Sequence, residues 1–123
     1  MNIEYIGKIN QEENGFSIQL NQKLLSGLTG LNGFSHLQII WWAHLADNEE
    51  ARKNLIFKKL FKKGPALTGV FSTRAPARPN PIMVSTIKVS RIDFDKGIIY
   101  APFIDSEPGT PVLDIKPYHP MER

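Results

Sequence analysis

Residues 69–85 read GVFSTRAPARPNPIMVS. The stretch opens with good strand formers, Val70 and Phe71, flanked by Thr68 and Thr73. The pattern then breaks. Pro76, Pro79 and Pro81 each fix φ and remove a backbone donor. Each also pushes the residue before it (Ala75, Arg78, Asn80) away from the helical region. The expected result is a stiff, extended loop carrying Arg74, Arg78 and Asn80. Such a loop loses little entropy when it meets a ligand. Strand character returns over residues 82–92, so a rigid polar loop is predicted between two strands.

Outward from this loop, the chain reads as short strands. Residues 3–9 form a first strand and residues 16–20 alternate as a second, with a polar turn at 11–15 between them. Residues 24–31 read as a short helical turn broken by glycines whose spacing is not that of a dinucleotide fingerprint. Residues 35–44 read as a central strand, because both faces are apolar; Trp41 and Trp42 then point to opposite sides. Asp47 is the expected N-cap of a short helix, with Glu49 and Glu50 in its first turn. Residues 82–92 are expected to pair with 97–103 through a turn at 93–96, and 111–115 to add a last strand. Several short strands, few helices and no βαβ rhythm predict a closed antiparallel or mixed barrel.

A chain of 123 residues with 41% hydrophobic content is expected to form one domain, residues 1–123. No apolar run approaches the roughly 20 residues that span a bilayer. The start, MNIEYIGKIN, has no basic segment followed by an apolar one, so no secretory leader is expected. Zero cysteines exclude disulfides, thiolate nucleophiles and cysteine-ligated metals, and a cytoplasmic location is the simplest expectation. The net charge of +3 hides an asymmetry. Residues 51–92 hold ten basic side chains and no acidic one: Arg52, Lys53, Lys58, Lys59, Lys62, Lys63, Arg74, Arg78, Lys88 and Arg91. The flanking segments are both net acidic. A block of this kind points to a polyanionic partner, with a merely solvated basic face as the alternative.

A second stretch pairs with the first. Residues 109–118 read GTPVLDIKPY, with Asp105 just ahead, and Phe34-Ser35-His36 precedes the apolar strand that ends at His44. Together, and in this order, these motifs closely resemble the TsaA-like family, the tRNA methyltransferase O proteins. The resemblance runs from about residue 3 to residue 120. It implies a mainly β fold, a small single-sheet β-barrel with one or two short helices. It also implies S-adenosylmethionine as cofactor and N6-methylation of threonylcarbamoyladenosine beside the tRNA anticodon.

Residue by residue, the resemblance implies cofactor contacts from His44, Leu45, Arg74, Val84, Pro102, Phe103, Ile104 and Asp105. Arg74 suits a carboxylate bidentately, and Asp105 suits ribose hydroxyls or an ammonium. Methyl transfer from a sulfonium is mainly a matter of positioning, and the target nitrogen has a proton to lose. His44 and Asp114 are the candidate acceptors; the alternative for Asp114 is a structural pair with Lys116 or Arg78. Arg78, Asn80, Lys116, Lys58, Lys59, Lys62 and Lys63 are the expected contacts to the anticodon arm of tRNA. His36 reads as a structural histidine. No metal and no membrane are expected, and a homodimer is. Three departures stand near the site: Met83 replaces a family glycine, Pro108 replaces the Asp before Gly109, and the family's early PRQ loop is absent. They keep open two other readings, a methyltransferase with a different substrate and a non-enzymatic RNA-binding barrel.

Overall fold

A computed structural model of the chain describes residues 1–58, 60 and 62–119. The chain forms two compact units: Met1–Trp42 together with the chain from Val84 onward, and Ala43–Met83. Among the described residues there are nine strands, β1 to β9, and one α-helix, α1.

The first unit is built on one sheet. β1 (Gly7–Glu12) and β2 (Gly15–Leu20) form a hairpin whose tip is Glu13 and Asn14. β3 (His36–Trp42), β6 (Ile82–Lys88), β7 (Arg91–Asp93), β8 (Ile98–Ala101) and β9 (Pro111–Tyr118) complete it, in the order β6-β3-β9-β1-β2-β8-β7. Alternation dictates the core. In β3, Leu37, Ile39 and Trp41 turn inward while Trp42 lies half-buried on the other face. They meet Ile9 and Ile18 from the hairpin, Ile99 from β8 and Val112 from β9, all essentially inaccessible to solvent. Each such side chain contributes roughly 2 kcal/mol of burial.

The expected closed barrel is not formed. Closure needs a ladder between the two strands that end the order, β6 and β7. No such ladder is present among the described residues: β6 neighbours β3 and β7 pairs with β8, which leaves β6 and β7 at opposite ends of the order. Only Val89 and Ser90 separate them: the Val89 N–H donates to the Ser35 carbonyl on the β3 side, and the Ser90 N–H to the Tyr100 carbonyl on the β8 side. Three Cα steps span about 11 Å at most, so the two ends of the order lie close and the open sheet is strongly curled. The same link corrects the pairing expected for 82–92. Its first part neighbours β3, and only Arg91–Asp93 pairs with β8.

The second unit holds α1 (Glu49–Lys53) and a two-stranded antiparallel ribbon, β4 (Ile56–Lys58) with β5 (Leu67–Gly69). The N-cap of α1 is Asn48, whose Oδ1 accepts from the Ala51 N–H at 2.7 Å, rather than Asp47. The Asp47 carboxylate is taken by Arg52. Glu49 and Glu50 occupy the first turn as expected. Val70 and Phe71 lie in a 3-10 turn, Val70–Ser72, not in a strand; Val70 is buried and Phe71 is exposed.

Candidate functional site

In the second unit the proline loop is braced from within. The Thr73 hydroxyl donates to the Val70 carbonyl and accepts from the Ala75 N–H. Arg78 Nη1 donates to the carbonyls of Thr73 (3.2 Å) and Ala75 (2.9 Å), so this guanidinium stitches the loop together. Arg52 holds the other end. Its Nε and Nη2 grip Asp47 as a fork at 2.6 and 3.1 Å, and its Nη1 donates to the Pro79 carbonyl at 2.8 Å and to Asn80 Oδ1 at 3.3 Å. The Asp47 hydrogen bond raises the Arg52 pKa above its ordinary value, against a smaller opposing effect of burial. Arg74, between these braces, is exposed and has no hydrogen-bond or ion-pair partner among the described residues. His44 opens a short 3-10 turn, His44–Ala46, half-buried, and Leu45 beside it is exposed. Lys58 sits on β4, and Lys62 and Lys63 lie in the connection between β4 and β5, all exposed; Lys59 lies outside the described residues.

In the first unit, Asp105 stands on the loop after β8. Ile104 anchors that loop in the core, at 2% exposure, and Phe103 packs edge-to-face on Phe16 with ring centroids 5.9 Å apart. Pro102 and Asp105 are left exposed. The Asp105 carboxylate Oδ1 accepts from the Ser85 hydroxyl at 2.5 Å, and Ser85 Oγ accepts from the Trp41 indole N–H at 2.8 Å. Val84, the neighbour of Ser85 on β6, points outward and is exposed. Ser106 Oγ, next along from Asp105, is buried and has no hydrogen-bond partner among the described residues.

Asp114 has its own partners. Its Oδ2 pairs with Lys116 Nζ at 3.0 Å and its Oδ1 accepts from the Ile115 N–H at 2.9 Å. Lys116 is thus the structural partner it takes, while Arg78 is spent on its own loop. His36 Nδ1 lies 2.8 Å from Ser35 Oγ, as befits a structural histidine. The Pro108 departure has a local reason. Residues 107–110 form a type II turn: Gly109 takes φ +87°, and the Thr110 N–H donates to the Glu107 carbonyl. Proline is favoured at the second position of that turn and glycine is required at the third.

The first unit thus carries Val84, Pro102, Phe103, Ile104 and Asp105, and the second carries His44, Leu45, Arg74, Arg78 and Asn80. The basic block divides between them, with Lys88 on β6 and Arg91 stacked over the Tyr100 ring at 3.9 Å. Sequence reasoning missed Ser85, Trp41, Ser106 and the bracing role of Arg52. A signal existed for Ser85: it shares the buried face of β6 with Ile87, and a polar residue on a buried face needs a partner. Nothing local marks Arg52, which the sequence places in a run of solvated cations.

Among the described residues no group of three or more His, Asp or Glu side chains is arranged to hold a metal ion, and no helix is long and apolar enough to cross a membrane. A curled antiparallel sheet with a carboxylate on one loop, and a small basic unit that follows β3 in the chain, is an architecture with known relatives. Residues 7–122 match the family model of the tRNA-methyltransferase O N-terminal domain, and the chain belongs to that family. A relative in Pyrococcus horikoshii, named as a probable S-adenosyl-L-methionine-binding protein, is 40% identical over 111 residues, covering 90% of this chain and 77% of its own. The human tRNA (adenine(37)-N6)-methyltransferase is 42% identical over 91 residues, 74% of this chain but 20% of the human protein. The crystal structure of TrmO from Pseudomonas aeruginosa superposes with a TM-score of 0.71 at 28% identity, over 98% of this chain. This chain spans 55% of that solved chain, so about half its length.

Proposed function

We propose that the chain is an S-adenosylmethionine-dependent tRNA methyltransferase that methylates N6 of adenosine 37, in its threonylcarbamoyl form, beside the anticodon. The observation that carries this reading is the family match over residues 7–122, which takes in every residue expected at the cofactor site. Two of the relatives described above carry the cofactor and the reaction in their names. On this reading residues 1–123 act as one functional domain, as a homodimer in the cytoplasm.

The donor set suits the cofactor. Asp105 offers an acceptor for a ribose diol or an ammonium, and the partnerless Ser106 hydroxyl beside it offers a second polar contact. Arg74 offers an uncommitted fork for a carboxylate. The backbone of Pro102–Asp105 and of Val84 is proposed to frame an adenine, and His44 and Leu45 are, with Arg74, the cofactor contacts proposed on the second unit. When bound, S-adenosylmethionine supplies an electrophilic methyl group on a sulfonium.

The protein's own work is to orient and to accept a proton. The braced proline loop keeps Arg74 at a fixed place, which lowers the entropy lost on binding. Of the two expected proton acceptors, His44 is the better candidate. It has no side-chain partner among the described residues, whereas both oxygens of Asp114 are engaged. Lys58, Lys62, Lys63 and Asn80 are the contacts proposed for the anticodon arm, together with Lys116 and, through whatever donors its loop leaves free, Arg78.

The decisive experiment incubates the protein with labelled S-adenosylmethionine and tRNA that carries the threonylcarbamoyl group, followed by nucleoside analysis. Methyl label in that nucleoside is expected, and none on tRNA lacking the group. Label in another nucleoside would replace the substrate; cofactor binding with no transfer to any RNA would leave a different acceptor. Light scattering should give twice the 13.9 kDa chain mass.

A further inference from the structure

We infer that Ser85, held by Trp41, is a positioning residue that selects the rotamer and the hydrogen-bonding role of Asp105 before any ligand arrives. The inference rests on the reading of Asp105 as a cofactor contact. An indole N–H is a donor only, and a serine hydroxyl has one proton. Trp41 Nε1 donates to Ser85 Oγ at 2.8 Å, and the hydroxyl proton goes to Asp105 Oδ1, the acceptor it has among the described residues. The chain of donors therefore has a single direction, from Trp41 through Ser85 to the carboxylate. Solvent does not compete at its inner end, since Trp41 and Ser85 are each 8% exposed.

The supports are rigid. Trp41 lies on the buried face of β3 and Ser85 on the buried face of β6, while Asp105 stands on a loop. A bulge in the β3–β9 ladder sits at this point. Ile40 pairs with Asp114 but Trp41 with Val112, so Leu113 is the extra residue and the register resets where Trp41 must aim. With Oδ1 occupied, Oδ2 has no hydrogen-bond partner among the described residues, and Asp105 is exposed, so Oδ2 is the oxygen left for a ligand. A ligand hydroxyl or ammonium then meets an acceptor whose orientation is already chosen. Side chains locked by neighbours on regular elements hold a binding group more accurately than a loop can alone.

Calorimetric titration of S-adenosylmethionine into the full chain tests this with six proteins: wild type, Ser85→Ala, Ser85→Thr, Trp41→Phe, Asp105→Asn and the double variant Ser85→Ala with Asp105→Asn. Ser85→Ala should weaken binding about tenfold, the loss of one charge-assisted hydrogen bond. Ser85→Thr keeps the hydroxyl and suits a strand, and should stay within about twofold of wild type. Trp41→Phe removes the donor that holds and polarises the Ser85 oxygen, so the Ser85 to Asp105 bond loses its support and binding should weaken about threefold. In the Asp105→Asn background, removal of Ser85 should add less than about twofold, because its effect passes through the carboxylate. Equal losses in both backgrounds would reduce Ser85 to a general structural part and overturn the inference. So would Ser85→Ala binding like wild type while Asp105→Asn fails, with the role of Asp105 itself left standing. Asp105→Asn binding like wild type would overturn both that role and the inference. If Ser85→Ala loses its near-ultraviolet dichroism, a seventh protein, Trp41→Phe with Asp105→Asn, completes the same cycle with Trp41→Phe, Asp105→Asn and wild type.

Discussion

Gly15 has no room for a side chain. A Cβ there would stand 2.6 Å from the Ala101 carbonyl oxygen and 3.3 Å from Pro102 Cα, and the residue takes φ +146°. Gly15→Ala is expected to cost about 2 kcal/mol, seen as a lower Tm. It should also weaken S-adenosylmethionine binding, because the backbone it displaces leads into Pro102–Asp105. A Gly15→Ala protein with lower stability but unchanged affinity would detach that loop from the cofactor. At Arg74 the contrast is between two exposed cations. Arg74→Ala should weaken cofactor binding clearly more than Lys58→Ala, as measured by titration; small, equal effects would count against a role for Arg74. The residues at the site were unevenly legible in the sequence. Asp105 and Arg74 stand out through their motifs. The Trp41, Ser85 and Asp105 chain joins three distant segments, and such a juxtaposition leaves no local trace.

At the scale of elements, the sequence pattern served where side chains alternate under one set of rules. β2 follows its apolar alternation, and the observed ends of β3 lie within two residues of those expected, although β3 alternates between a buried and a half-buried face; β1 runs from Gly7 to Glu12 rather than over residues 3–9. The division of 82–93 into β6 and β7 was hidden, because Val89 and Ser90 carry no glycine or proline to mark the bend. Pairing with β3 on one side and β8 on the other makes the break, and that is a tertiary cause. The helix cap was misplaced for a related reason. Asp47 and Asn48 are both good caps, and the Asp47 carboxylate is drawn to Arg52, five residues on. Asn48→Ala should therefore destabilise α1 by about 1 kcal/mol, while Asp47→Ala should instead loosen the Pro79–Asn80 end of the loop. Hydrogen exchange resolved by peptide separates the two: faster exchange confined to 49–54 in the first, and extending to 80–83 in the second. The turn at 107–110 follows its own chemistry, so Pro108→Ala should lower stability by about 0.5–1 kcal/mol by freeing the unfolded chain.

For the whole molecule, the charge asymmetry sets the expected behaviour toward RNA. Among the described residues, two of the cations in 51–92 are engaged by carboxylates in the second unit, Arg52 by Asp47 and Lys53 by Glu49. Lys58, Lys62 and Lys63 are exposed. Replacing those three by Gln should weaken tRNA binding and lower the slope of log K against log salt by about 0.7–0.9 for each phosphate no longer neutralised. An unchanged slope would put the RNA elsewhere. The fold class, mainly β with few helices, was legible from strand spacing and motif order. Openness was not, since barrel and curled sheet share the same strand patterns and differ only in whether the last two strands run side by side. The second unit has one further property. Its two ends are neighbours: the Ala43 N–H donates to the Pro81 carbonyl at 2.8 Å, one residue past β3 and one before β6. A segment that leaves and re-enters at adjacent points is an exchangeable cassette. Each doubling of such an excursion adds only about 0.6 kcal/mol of closure entropy. Over generations, insertions, deletions and outright replacement of the segment can be tried while the sheet that carries Asp105 is left alone, so target preference can diversify faster than the scaffold beneath it.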